Sequence, residues 1–185
     1  DGIGYVDGYT LNQFSMDEYE GKLRITTTSG WWGEDINNRL FVLDENMEIL
    51  SVLENLGHEG ERIQSTRFVG EYAYVVTFRQ TDPFYVINIS DPENPFIDGE
   101  LEIPGFSSYL QPLGENYMLG IGFNADNEGR VNGLKVSIYD ISVKQNPSVF
   151  DEVIFEYDDM GYAWSSATYN HKDLLVSLSK GLIAL

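Results

Sequence analysis

The chain contains no cysteine. Disulfides, thiolate metal centres and cysteine nucleophiles are therefore excluded, while the compartment stays undetermined. Positive charge is scarce: 11 Lys and Arg stand against 30 Asp and Glu, a net charge of −19. Binding to nucleic acid or to anionic lipid rests on Lys and Arg, so neither is expected as a partner. A charge of this sign reads first as a strongly solvated surface, suited to a saline environment, and second as a supply of cation ligands. No apolar run approaches the ~18 residues that span a bilayer, so no membrane insertion is expected from this segment. The chain opens on Asp1-Gly2, without Met and without a signal peptide, which reads as a trimmed or partial polypeptide.

What is present points to β-structure. The 185 residues suffice for one core, and a 42% apolar fraction is too high for a disordered chain. Eighteen glycines and twelve tyrosines favour many short strands and turns. Four segments share one pattern of polar stretch, Gly or charged turn, and apolar strand: FSMDEYEGKLRITTT from Phe14, IQSTRFVGEYAYVVTF from Ile63, FSSYLQPLGENYMLGIGF from Phe106 and WSSATYNHKDLLVSLS from Trp164. The strands after the turns start at Leu23, Tyr72, Tyr117 and Leu174, at intervals of 49, 45 and 57 residues. A third strand follows in each unit (RLFVLD, FYVINI, KVSIYDI, GLIAL), and a fourth in the first three (EILSVLE, FIDGELEI, SVFDEVIFEY). The alternation has period two, not 3.6. A strand-rich repeat of this length predicts β-propeller blades, each of four antiparallel strands.

The expected organisation is an outer strand of a preceding blade over 2–10, blades over 11–56, 57–105 and 106–160, and an incomplete blade over 161–185. SDPENP from Ser90 and KQNPS from Lys144 fall between third and fourth strands, where proline ends a strand and fixes a turn. About four blades are therefore present. They close on themselves as four or form part of a larger ring, and open sheet edges in a slice invite self-association.

The stretches GYVDGYTLNQFSMDEYEGKLRITTT, RFVGEYAYVVTFRQTDPFYVINISDPENP and SSATYNHKDLLVSLSKGLIAL, together with NRLFVLDENMEIL and GLKVSIYDIS, resemble the secreted β-propeller domain family of bacteria and archaea, whose function is uncharacterised. The resemblance runs in order over nearly the whole chain. It implies an extracytoplasmic protein and a domain longer than this chain, which favours the slice. The last unit shares Tyr169, His171 and Lys172 with that family but shortens the following hairpin to SLSKG. The resemblance supplies no catalytic residues.

Candidate sites come from the residues themselves. Inner blade strands line a propeller's axis, and here they carry Gln13, Ser15, Gln64, Ser65, Thr66, Ser107, Ser108, Ser165 and Ser166. Small hydroxyl residues suit packing near a tapered axis, and a polar ligand channel is the other reading. Arg62, Arg67 and Arg79 cluster in one blade with Asp82, Asp91 and Glu93. They read as register-fixing ion pairs or as an anion clamp, with Arg67, Arg79 and Asp82 as the candidate ligand-binding residues. Trp31, Trp32 and Trp164 can stack on a sugar, and only one of the adjacent pair can face the core. Asn124, Asp126 and Glu128, with Gly129 next, have the spacing of calcium-loop ligands, although Lys135 stands where a bidentate carboxylate is required. Calcium is the one cofactor this pattern allows. His58 and His171 lie in no catalytic motif, and no nucleophile elbow or phosphate loop occurs. The expectation is a non-catalytic binding or scaffold module, with protein or glycan partners at the cell surface. The alternatives are a polysaccharide hydrolase or lyase with carboxylates at the channel mouth, and a calcium-stabilised structural module.

Overall fold

In the computed structural model, residues 2–31, 35–79, 82–126, 128–157 and 163–185 are described, without the side chain of Asp82. The chain is all-β, with short 3-10 turns as its only helical elements among these residues. The first sheet holds β1 (Met16–Tyr19), β2 (Lys22–Ser29), β3 (Asn37–Leu43) and β4 (Ile49–Leu53). The second holds β5 (Arg62–Val69), β6 (Tyr72–Phe78), β7 (Asp82–Asn88) and β8 (Phe96–Ile103). The third holds β9 (Phe106–Leu113), β10 (Tyr117–Ala125), β11 (Val131–Asp140) and β12 (Ser148–Glu156). A two-stranded ribbon, β13 (Leu175–Ser177) and β14 (Leu182–Ala184), follows. Each sheet is an antiparallel meander with strands in chain order. No helix among the described residues is long and apolar enough to cross a membrane.

Local chemistry dictates the meanders. Glu20 and Gly21 both have positive φ, the geometry of a two-residue hairpin turn whose twist matches its strands. Gly70 and Gly114 occupy the same place in the next two sheets, again with positive φ. At the exit of the third strand, the side chains of Asp44, Asn88 and Asp140 each accept the N–H two residues on, from Asn46, Ser90 and Ser142. A bulge immediately precedes each of these caps. The repeat therefore extends to the connection into the outermost strand.

Because a sheet in a stack has neighbours on both sides, its middle strands are apolar on both faces. On β6, Ala73 and Val75 pack with Leu40, Val42, Tyr85 and Ile87 between the first two sheets. Tyr74 and Val76 point the other way, into a cluster with Phe84, Leu110, Met118 and Tyr139. On β10, Leu119 and Ile121 face the terminal ribbon through Leu134 and Ala167. Fully burying one such side chain contributes about 1.5–3 kcal/mol.

Polar side chains join the same seams. Arg24 is only 2% exposed; it makes a two-pronged pair with Asp17 at 2.8 and 2.6 Å and donates to the Gly70 carbonyl of the next sheet at 2.6 Å. Its guanidinium also lies over the Tyr19 and Phe68 rings. Lys144 donates to Ile141 O at 2.7 Å and sits near the faces of Tyr72 and Tyr74, while Gln145 reaches Asp98.

Two segments depart from the expected strands. Residues 2–10 form no strand; Tyr9 exchanges both backbone hydrogen bonds with Thr28, continuing the inner edge of β2 beyond the end of β1. Val6 covers Ile25, Phe41 and Leu43 on the far face of the first sheet. Gln13–Ser15 and Ser166–Thr168, expected on inner strands, are 3-10 turns. The side chains of Asn12 and Ser165 accept from Phe14 N and Ala167 N, and these local caps compete with the ladder.

Arg24 supplies a direct test of the seam. Arg24→Ala leaves Asp17 and the Gly70 carbonyl without their donor and should cost about 3 kcal/mol in urea unfolding. Arg24→Lys should recover only part of that loss, since an ammonium cannot reproduce the fork.

Candidate functional site

The propeller axis is the first place to look for a ligand. Three inner elements meet there: the Gln13–Ser15 turn, β5 and β9. Arg67, on β5, stacks its guanidinium 3.9 Å from the Phe14 ring centre and 5.2 Å from that of Tyr109. Its Nε and Nη2 donate to Leu110 O at 2.8 and 2.6 Å. Burial pushes the Arg67 pKa down from its ordinary value, and the adjacent Tyr109 partly opposes the shift. Phe14 meets Tyr109 edge-on and also His171, whose Nδ1 lies 3.2 Å from Gln13 Nε2. First and last units thus touch at their inner edges, with aromatic rings and one cation between them.

The inner-strand hydroxyls are mostly buried joints between units. Thr26 and Thr66 pair through their hydroxyls at 2.9 Å, and Ser65 donates to Ser107 O at 2.6 Å. Ser108 donates to Thr168 O at 2.9 Å, whereas Ser107 pairs at 2.8 Å with the Tyr139 hydroxyl of its own sheet. Their recurrence is explained by stitching one unit to the next as well as by small size.

The three arginines of the second sheet do not converge. Arg62 and Arg67 are five residues apart on β5, about 16 Å at strand rise. Arg62 donates to the Tyr9 hydroxyl and, at 2.6 Å, to Trp31 O. Arg79 is exposed and donates to Glu59 O at 3.3 Å; it lies over Gly60, where a Cβ would meet its guanidinium. Asp82 begins β7, paired through its backbone with Ile103. Trp31 is 79% exposed in the loop after β2, and Trp32 lies outside the described residues. Asp91 is a turn acceptor: the Asn94 amide and then the Glu93 N–H hold its carboxyl below the usual range.

The loop from Asn124 is a hairpin tip organised by an arginine. Asn124 Nδ2 donates to Asn132 Oδ1 at 2.7 Å. Asp126 accepts the N–H groups of Glu128 and Arg130 and pairs with Arg130 Nε at 2.9 Å, while Glu128 pairs with Arg130 Nη2 at 3.0 Å. Arg130 thereby supplies the positive charge that both carboxylates face. Its backbone and then its side chain hold Asp126 below the usual carboxylate range.

A different cluster escapes sequence reasoning. His58, in the connection before β5, and Glu100 and Glu102, on one face of β8, place their ligand atoms within 4.8 Å of one another. His58 Nε2 is 3.3 Å from Glu102 Oε1. The turn carrying His58 is anchored from below: buried Glu61 accepts His58 N at 2.8 Å and the Thr77 hydroxyl at 2.6 Å. Buried Tyr85 sits opposite Glu100 across the strands. Burial, followed by the Glu100 charge, pushes its phenol well above the ordinary value. Alternation at i and i+2 puts both glutamates on one face. No spacing rule links them to a histidine 44 positions from Glu102.

Comparison with known proteins places these features in a family. Residues 1–185 match the model of the family described as "Beta propeller domain". An uncharacterised protein of Archaeoglobus fulgidus is 44% identical over 186 residues, covering 100% of this chain and 27% of its own length. An uncharacterised protein of Methanocaldococcus jannaschii is 44% identical over 151 residues, covering 80% of this chain and 23% of its own. The chain thus spans about a quarter of the length of these curated relatives.

The Asp126 carboxyl generates a pH prediction. Its folded pKa lies below the ordinary 3.8, so its contribution is present above that value and is lost as the pH falls through the lower folded one. Asp126→Asn should therefore melt earlier than the parent at neutral pH, and the gap should narrow as the pH is lowered below the ordinary carboxylate value.

Proposed function

The chain belongs to the beta-propeller domain family, and we propose that it works there as a non-catalytic binding or scaffold module of an extracytoplasmic protein. The observation that carries this reading is the contact among the inner elements: Phe14, Arg67 and Tyr109 pack on one another where successive units meet, and Arg67 is turned to Leu110 O. Glycoside hydrolysis in most enzymes uses two carboxylates flanking the scissile bond. The described partners of Arg62 and Arg79 are a tyrosine hydroxyl and backbone carbonyls. The calcium reading has Arg130 already set between its two carboxylates. The extracytoplasmic setting is supported by the family resemblance.

The binding face of this module is the third sheet beside the terminal ribbon. In the first two sheets the outermost strand turns Leu50 and Leu53, or Leu101 and Ile103, against the following sheet. On β12, Val153 and Phe155 are each 50% exposed. A cavity of about 720 Å³ lies there, lined by Leu134, Phe155, Trp164, Ile183 and Leu185 among others. Surface of this kind marks an interaction site. Continuity with the two seams already formed indicates a β-structured partner with one apolar face. A second copy of the chain offers that face, and an isologous contact covers both copies at once.

Sedimentation velocity across a concentration series tests this reading. The parent should dimerise, and Phe155→Asp should stay monomeric with an unchanged circular dichroism spectrum. A parent that remains monomeric at every concentration while binding an apolar dye overturns self-association and assigns the face to another partner.

A further inference from the structure

We propose that His58, Glu100 and Glu102 form a binding site for a divalent transition-metal ion of the zinc class. The three side chains come from two elements, the connection before β5 and the outermost strand β8, and their ligand atoms lie within 4.8 Å of one another. Zinc binds imidazole nitrogen at about 2.0–2.1 Å and carboxylate oxygen at about 2.0–2.2 Å, which in a tetrahedron sets neighbouring ligand atoms roughly 3.4 Å apart. The His58 Nε2 to Glu102 Oε1 separation is 3.3 Å. Glu100 reaches the same point by rotamer adjustment alone, since its side chain is exposed.

The chemistry of the set selects the ion. Imidazole suits zinc, copper, iron or nickel, whereas calcium and magnesium take oxygen ligands throughout. Two carboxylates balance the dication, and a chain of net charge −19 favours its approach.

Support beneath the ligands distinguishes this cluster from a chance pairing of exposed charges. Glu61 holds the His58 backbone through a bond that is itself fixed by Thr77. The buried Tyr85 phenol lies beside Glu100 on the same face of the sheet, one strand further in. The first fixes the backbone from which the His58 side chain starts, and the second limits where Glu100 can turn. His58 also lines a polar cleft of about 370 Å³ with Asn37, Arg39 and Glu59. Asn37 Oδ1, buried and without a hydrogen-bond partner among the described residues, adds an acceptor beside that cleft. The bound ion would tie the chain entering the second blade to that blade's outermost strand.

Calorimetric titration of the protein with zinc ion tests the site, with cobalt absorption reporting nitrogen and oxygen ligation. Saturable one-to-one binding is expected, weakened at least about tenfold by His58→Ala and by Glu102→Gln, and not displaced by an equal concentration of calcium. All three ligand positions are exposed, so the variants should keep the parent's circular dichroism spectrum. Failure to saturate up to millimolar zinc, equal binding by parent and variants, or displacement by calcium each overturns the proposal.

Discussion

Face-to-face packing of each sheet on the next is the constraint from which the rest of the structure follows. A middle strand with neighbours on both sides cannot alternate apolar with polar, and β6 answers with Ala73, Tyr74, Val75 and Val76, all buried. The outermost strands have one wet face and do alternate, as Glu100, Leu101, Glu102 and Ile103 show on β8. Their wet-face glutamates therefore reach solvent. The position of the proposed metal ligands is a by-product of stacking geometry.

Scarce cations are placed where they join units. Arg24 and Arg67 each reach a backbone carbonyl of the following sheet while lying on aromatic rings, and Lys144 sits near two tyrosine rings of the sheet before its own. Aromatic faces and carbonyls attract a cation without adding a further buried ion. An abundance of acid on the surface and a few cations in the seams are compatible, because the two populations meet only at pairs such as Arg24–Asp17.

The fold was legible because its signals are local and repeated: short apolar strands, glycines at Gly21, Gly70 and Gly114, and prolines after Asn94 and Asn146 each recur at the blade interval. The 3-10 turns at Gln13 and Ser166 were not legible, since a single capping side chain decides between turn and strand there. The role of Arg67 was hidden for another reason. Residues near in sequence suggested carboxylate partners, whereas its actual ones, Phe14, Tyr109 and Leu110, come from other units. His58 likewise meets Glu102 only because a strand returns past the loop.

The meeting of Gln13 and Phe14 with His171 spans 158 positions of sequence, in a molecule whose other pairings are mostly between adjacent strands. Hairpins of this kind form early, because the loops they close are short, whereas the contact between first and last units carries the largest closure cost. During synthesis each blade can be laid down on its predecessor while the axis stays open. Phe14 and Arg67 then wait, partly uncovered, until the segment bearing His171 arrives. The turn at His171 thus decides when the one at Phe14 is sealed.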